Sequence, residues 1–402
     1  MGTDLETWLK KNIGFDDEWK IEGVDFKTSP LSLDVTVSYV GPKVCPVCGN
    51  ECARYDTLVR KWRDLDFGSS PCNITAHVPR FDCPVHGVHQ TVVPWAGNVS
   101  KLTNRFERKC AEYSACMPVH LVSKLTGVRD NTVWSIVRYY TDKAMDNLDL
   151  SGMTAFCVDE TSSRRGHQYI TTFTDPKTGG IVFATADRDS SVLCEFRKWL
   201  IAHGGDSDNI KSVCSDMSGA FTKGIRDFFP KAVIVYDPFH VIQAANATLD
   251  TVRKTSGLKS SLGRGLRFDF MRNRETLSMT RRERLEAVFD QYFYLGKAYA
   301  IKEQLRDFYT LCDYDDAMQF LLGIIDRCMD SDNDDISDLG LTLDKHFWGI
   351  LEWHRCRMSN GIAEGNNSVI QAMKRSARGF RDTENMMSLI YLRSLKKNGL
   401  SI

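Results

Sequence analysis

Soft donor side chains occur in two copies of one short pattern: Cys45 and Cys48 stand in "CPVCG", Cys83 and His86 in "CPVHG". Three thiolates and an imidazole, two from each knuckle, are the donor set of a closed tetrahedral site for one Zn²⁺, with no position left for a substrate. The expected role is therefore structural. The glycine after each second ligand suits the tight turn that lets backbone amides face the sulfurs. Cys52 and Cys72 are spare donors, His89 is an alternative to His86 at a poorer spacing, and a set of merely buried thiols is the plainer reading.

Hard donors form a second pattern. The apolar, β-prone runs "MTAFCVDE", "KSVCSD" and "AVIVYD" end in Asp159 and Glu160, in Asp216 and in Asp237. A buried strand does not readily carry a carboxylate in mid-sheet, so these acids are expected where the chain leaves the sheet, the edge at which open α/β sheets bind ligands. Converging carboxylates repel unless a divalent cation neutralises them; Mg²⁺ (or Mn²⁺) accepts few carboxylates, keeps waters, and takes phosphate oxygens. Taken singly, each Asp could equally cap a helix, as "DMSG" and "DPFH" would allow. Glu364 heads the segment "MSNGIAEGNNSVIQAMKRSARGF", which also carries Lys374, Arg375 and Arg378. A third carboxylate delivered from a helix would complete a two-ion site for in-line phosphoryl transfer. Asn367, Gln371, Lys374 and Arg375 fall on or beside its face, which is expected to run along a nucleic-acid backbone. The helix dipole alone would also favour an acid in that first turn.

Certain elements must position these groups. A short polar helix precedes the alternating strand "LSLDVTVSYVG", and a turn-rich stretch carries the two knuckles. "SACMPVHLVSKLTGVRDNTVWSIVRYY" has the cadence of a helix-turn-helix: one helix ends near Leu125, Gly127 turns the chain, and the next begins near Asn131 or Thr132. Asn131 and Thr132 would face a major groove, with Arg129 and Arg138 near phosphates; a helical hairpin that only packs is the alternative. Three strands, a helix, a strand, a helix and a strand then describe a mixed α/β sheet. From about 241 to 357 the pattern is helical.

Composition bounds the function classes. Net charge is zero, which alone does not favour nucleic acid, yet residues 253–286 hold ten Lys/Arg against four Asp/Glu, and residues 313–344 hold ten Asp against the single Arg327. The first twenty residues lack an apolar segment and no run of about 18 apolar residues occurs, so a soluble, intracellular chain is expected. Thirteen cysteines, an odd number, favour metal binding or burial over a disulfide framework.

These pieces, in this order, resemble the DDE transposases of bacterial insertion sequences, specifically the ISL-three family, over nearly the whole chain. The resemblance rests on the paired knuckles with "YDTLVRKWRDLDFG" between them and on "PVHLVSKLTGVRDNTVWSIVRYY". It rests further on "VDETSSRRGHQYITTFTD", on "SDMSGAFTKGIRDFFPKAVIVYDPFHV" and, most specifically, on "MSNGIAEGNNSVIQAMKRSARGFRDTENM". It implies a multidomain α+β chain: a β-rich zinc-binding domain (1–97), a helix-turn-helix domain (98–148), and a ribonuclease-H-like α/β core (149–245 and 355–402) with an all-helical insertion (246–354). It implies a catalytic triad of Asp159, Asp216 and Glu364 on two Mg²⁺ (or Mn²⁺) ions, with Glu160 the rival to Asp159. Asp237 becomes a motif neighbour, and His240 positions the strand end or caps. Water would cut the transposon end and the freed 3′-hydroxyl would attack target DNA. Terminal inverted repeats and target DNA are the implied partners, with a homodimer or higher oligomer, no membrane, and a cytoplasmic location at the bacterial nucleoid. A DNA-binding regulator or catalytically silent derivative, and a nuclease without strand transfer, are the competing functions.

Overall fold

Alternation along the first strands decides which face is buried. The fold is that of a computed structural model, which describes residues 2–164, 168–186, 189–258 and 260–402; residues 165–167 of "SSRRGHQ" therefore lie outside the described residues. A helix α1 (Gly2–Ile13) precedes β1 (Trp19–Thr28), β2 (Leu31–Tyr39), β3 (Ala53–Phe67), β4 (Ser70–Cys83) and β5 (Gly87–Gln90). The sheet order is β1-β2-β4-β3, with β5 on β4. Leu33, Val35 and Val37 of β2 and Cys72, Ile74, Ala76 and Val78 of β4 point inward at period two. They meet an aromatic cluster in which Trp95 packs edge-on to Phe15 at 4.6 Å and to Trp19 at 4.7 Å.

Three helices follow: α2 (Asn104–Cys116), α3 (Val119–Thr126) and α4 (Asp130–Met145). Thr103 caps α2 by accepting from the Phe106 N–H, and Gly127 ends α3 in the left-handed region at φ 68°. Fully buried Glu107 accepts from the Asn98 and Val99 amides and the Ser100 hydroxyl, tying the incoming strand end to α2.

The chain divides into two compact units. The first contains Met1–Asp146, Ser376–Leu395 and Leu400–Ile402; the second contains Asn147–Arg375 and Lys396–Gly399. In the second, β6 (Ala155–Arg164), β7 (Gln168–Thr174) and β8 (Ile181–Thr185) form an antiparallel meander. Then come α5 (Ser191–Ala202), β9 (Ser212–Ser215), α6 (Gly219–Phe228) and β10 (Val233–Tyr236). The strand order β10-β9-β6-β7-β8, with β6–β9 and β9–β10 parallel, is the mixed sheet expected. Phe156, Phe173, Phe196 and Phe229 fill the face covered by α5 and α6, with Phe173 stacked on Phe196 at 4.3 Å.

Eight helices then run from α7 to α14. They are α7 (Pro238–Thr255), α8 (Ser260–Met271), α9 (Met279–Phe289), α10 (Phe293–Phe308), α11 (Tyr314–Met329), α12 (Asp334–Lys345), α13 (Phe347–Leu351) and α14 (Trp353–Cys356). Helices α7 to α13 share one core that reaches Tyr236 of β10. The Asp-rich 313–344 stretch is α11 and α12, with Asp313 and Asn333 as their N-caps and Asp315, Asp316, Asp334 and Asp335 in their first turns, where the dipole favours them. The helix α15 (Gly361–Ser376) returns to the sheet. Last comes α16 (Thr383–Ser394), which packs on α2 and α4 in the first unit, although the sequence reading carried 355–402 as a block with the second sheet.

Gly349 of α13 lies so close to Tyr236 that an added Cβ would sit 2.5 Å from its ring. Gly349→Ala is expected to destabilise the second unit by about 1–3 kcal/mol, read as a lowered urea midpoint.

Candidate active site and metal centre

Backbone geometry builds the two knuckles. The first spans the link between β2 and β3, with the Gly49 N–H donating to Cys45 O at 2.9 Å; the second is the turn between β4 and β5. Gly49 and Gly87 both have φ of 75°, the left-handed value a side chain would resist. The ligating atoms converge: Cys48 Sγ to Cys83 Sγ is 3.8 Å, Cys45 Sγ to His86 Nδ1 3.8 Å, and Cys83 Sγ to His86 Nδ1 3.6 Å. Zinc-length bonds put tetrahedral vertices about 3.8 Å apart for two sulfurs and about 3.6 Å for sulfur and nitrogen, so the donors already stand at the corners of a metal site. Backbone N–H groups of His86 and Val85 lower the Cys83 thiol to about 6. The alternatives fall away: His89 Nε2 meets His86 O at 2.8 Å, Cys52 points at Asn50 O, and Cys72 lies in the sheet core with its thiol pushed up to about 12 by burial. All thirteen cysteines are free.

The acids occupy one row. Parallel register pairs Cys157 with Cys214 and Ser215 with Tyr236. Counted on by one or two residues, past the last residues of β9 and β10, that register brings Asp159, Asp216 and Asp237 to corresponding positions. Cys157, Cys214 and Val235 form an apolar cluster with Met358 and Ala363 on the α15 side. Alternation therefore aims the acids, two residues further, at that same side. One expectation needs correcting: Asp159 does not end its strand. Beyond Cys157, β6 loses β9 but keeps β7 as far as Arg164, with Asp159 opposite Thr172. A mid-strand carboxylate is tolerated because the sheet has opened on one side.

Helix α15 closes that opening. Asn367 Nδ2 donates to Asp159 Oδ2 at 2.7 Å, while the Glu160 N–H holds Oδ1 at 2.8 Å. Gln371 donates to Thr161 Oγ1 and Ser162 O, both at 2.8 Å, and Lys374 to Ser162 O at 2.8 Å. Asn367, Gln371 and Lys374 were expected along a nucleic-acid backbone; the structure spends their donors on docking α15 to β6. Arg375 and Arg378 are exposed, Arg378 with φ of 57°. Glu364 heads the helix, its N–H donating to Asn360 O at 2.7 Å.

Burial, opposed by the Glu160 amide and reinforced by Asp216 and Asp237, pushes Asp159 up to about 6. Burial and then Asp237 and Asp159 raise Glu364; burial also raises Asp237, against the Asn360 amide and His240. His240, in the first turn of α7, thus bears on Asp159, Asp237 and Glu364 together. The three predicted acids do not collapse onto one point: among the described residues only Cys45, Cys48, Cys83 and His86 have ligating atoms all within 4.8 Å of one another. Asn360, buried and bonded through Nδ2 to Val158 O at 3.2 Å, was missed as a site residue, although "SNG" opens the most specific motif.

On the first unit, α3 ends at Thr126 and α4 begins at Asp130, close to the expected turn. Arg129 and Asn131 are exposed, and with Thr132, Arg63 and Lys101 they line an open concavity at the head of α4. Arg138, expected near phosphates, instead donates to Asn385 Oδ1 at 2.7 Å.

A family model described as "Transposase" matches residues 156–390, more than half of the chain. Others match residues 41–86 (zinc-finger of transposase IS204/IS1001/IS1096/IS1165) and 92–141 (helix-turn-helix domain of transposase family ISL3). The chain belongs to the ISL3 family of transposases. It is similar to the transposase for insertion sequence element IS1557 of Mycobacterium tuberculosis, 25% identical over 94% of this chain and 93% of that protein. It is equally 25% identical to the transposase for IS1001 of Bordetella parapertussis, over 94% and 96%. Membership makes it a DNA-cleaving and strand-transferring enzyme with a DNA-binding helix-turn-helix. No helix among the described residues is long and apolar enough to cross a membrane.

Two outcomes follow for this ISL3 protein. Cys48→Ser or Cys83→Ser should reduce bound metal from about one equivalent to near zero, measured by elemental analysis, with loss of cooperative melting of the first unit. An acid whose folded pKa is raised stabilises the fold fully below its unfolded value and loses that stabilisation as pH rises through the folded one. Asp159, moved from 3.8 to about 6, should therefore make the zinc-loaded protein, without added Mg²⁺ or Mn²⁺, melt higher at pH 5 than at pH 7.

Proposed function

We propose that Asp159, Asp216 and Glu364 are the catalytic acids of this transposase, on a ribonuclease-H-like core. The observation that carries the reading is the Asn367–Asp159 hydrogen bond, which fastens the helix bearing Glu364 to the strand bearing Asp159. The strand order, three antiparallel strands followed by two parallel ones beyond the first, supports the core assignment. Half-buried carboxylates brought to one end of a sheet suit a hard divalent cation. Two Mg²⁺ (or Mn²⁺) ions, when bound, would supply an activated nucleophile and neutralise phosphate oxygens. Asp159, braced by Asn367 and the Glu160 amide, holds the centre of the site. Asp216 enters from β9 and Glu364 from α15, and His240 offsets the accumulated negative charge. Cys45, Cys48, Cys83 and His86 hold one structural Zn²⁺.

The domain reading proposed is zinc-binding 1–97, helix-turn-helix 98–148 with residues 376–395 packed on it, catalytic core 149–245 and 355–375, and insertion 246–354. Recognition of terminal inverted repeats falls to Arg129, Asn131 and Thr132, whose concavity at the head of α4 can take a phosphate backbone beside a groove. Arg375 and Arg378 remain available for phosphate contact. Target capture is electrostatic and weakens with salt. Joining two ends calls for a homodimer or higher oligomer, acting in the cytoplasm on nucleoid DNA.

Asp159→Asn, Asp216→Asn and Glu364→Gln should each lower cleavage of a labelled transposon end by on the order of a thousandfold while retaining end binding in a gel-shift assay. Full cleavage by any of the three removes that acid from the proposal, and an intact protein that binds ends without cutting them indicates a regulator.

A further inference from the structure

β10 delivers one carboxylate that the reading above leaves without a task. Asp237 is 2% exposed. It stands at the N-cap of α7 but makes no side-chain capping bond. Its Oδ1 accepts the Asn360 N–H at 3.1 Å; its Oδ2 is buried and accepts from no amide or hydroxyl, with the Glu364 carboxyl close enough to share a proton with Asp237. The Asn360 side chain turns to the neighbouring strand instead, its Nδ2 donating to Val158 O. Around it stand the carboxyls of Glu364 and Asp159, the His240 ring and the buried phenol of Tyr309.

Bracing the entry of α15 would need Oδ1 alone. A neutral amide oxygen would accept the Asn360 N–H equally well, without placing a negative charge beside two others out of water. A buried Oδ2 that meets only another carboxyl is what a bracing role leaves unexplained. Position adds a second argument. The Asp237 N–H donates to Ser215 O at 3.0 Å, so Asp237 sits beside Asp216 in the same row, on the side of the sheet that α15 covers.

We propose that Asp237 is a fourth carboxylate ligand of the divalent-ion site, its Oδ2 directed at the ion that Glu364 also binds. The proposal rests on reading Asp159, Asp216 and Glu364 as that site. Asn360 is then the positioning residue of the arrangement. Its N–H fixes Asp237, its side chain fixes the strand one residue before Asp159, and its carbonyl fixes the amide of Glu364.

The test is Mn²⁺ binding by the full-length, zinc-loaded protein, followed by calorimetry and by melting with and without Mn²⁺. Asp237→Asn should weaken Mn²⁺ binding tenfold or more, reduce the Mn²⁺-induced rise in melting temperature, and leave the metal-free melting temperature unchanged or higher. A purely structural Asp237 would do the reverse, lowering the metal-free melt and leaving Mn²⁺ affinity intact; that result overturns the proposal. If wild type binds Mn²⁺ and Asp159→Asn does not, normal binding by Asp237→Asn defeats the fourth ligand alone. If wild type itself binds no Mn²⁺ at the site, the underlying catalytic reading fails together with it. Should Asp237→Asn not fold, wild-type protein loaded with Fe²⁺ and treated with peroxide and ascorbate decides: backbone cleavage flanking residue 237 is expected, and cleavage near 159 and 216 without it overturns the assignment.

Discussion

Carboxylates gathered at one end of a sheet repel one another, and much of the second unit can be understood as the means of holding them there. Asp159 is fixed by a main-chain amide on one oxygen and by Asn367 on the other. Asp237 is fixed by the Asn360 amide. Beneath the row, one pleat earlier, Cys157, Cys214 and Val235 form an apolar floor with Met358 and Ala363. The same two-residue period that buries the floor aims the acids at α15. Backbone and amide groups thus hold the acids in place, which is the preorganisation that the proposed divalent-ion site requires.

The knuckles of the first unit follow the same logic with soft donors. Left-handed glycines close each turn, and amides facing Cys83 favour its thiolate before any metal arrives. Ligand atoms already at tetrahedral separations need little rearrangement, so binding energy goes into locking β2 to β3 and β4 to β5. In both places the chain sets geometry with its backbone and leaves charge balance to an ion.

The basic and acidic blocks look alike in a charge count and differ in the fold. Within 253–286, Arg253 pairs with Asp250, Arg281 with Asp269 and Arg274 with Glu286. Part of that basicity is thus engaged within the helical insertion, Lys254 and Arg267 also sharing Asp250. The aspartates of 313–344 instead cap and begin helices, so their placement answers to the helix dipole. Helix α15 shows a related shift. Three polar side chains that read as a nucleic-acid face are turned to β6, which leaves Arg375 on the helix, and Arg378 just beyond its end, as exposed charges.

Local spacing was enough to read the knuckle ligands, the turn at Gly127, the mixed sheet and the acids at the ends of apolar runs, because each depends on contacts a few residues apart. A strand's period and a turn's φ requirement are written in the chain itself. It could not show that β6 runs on past Asp159, since that depends on where β9 departs and β7 remains. It could not show that Asn367, Gln371 and Lys374 bond to a strand some 200 residues earlier, that Arg138 is held by Asn385, or that α16 packs with α2 and α4. Nor could it distinguish Asp237 as a capping residue from Asp237 as a buried, half-satisfied acid. Hydrogen bonds and burial between distant segments exist only once the chain has folded, and they decide whether a polar side chain faces solvent, a neighbour or an ion.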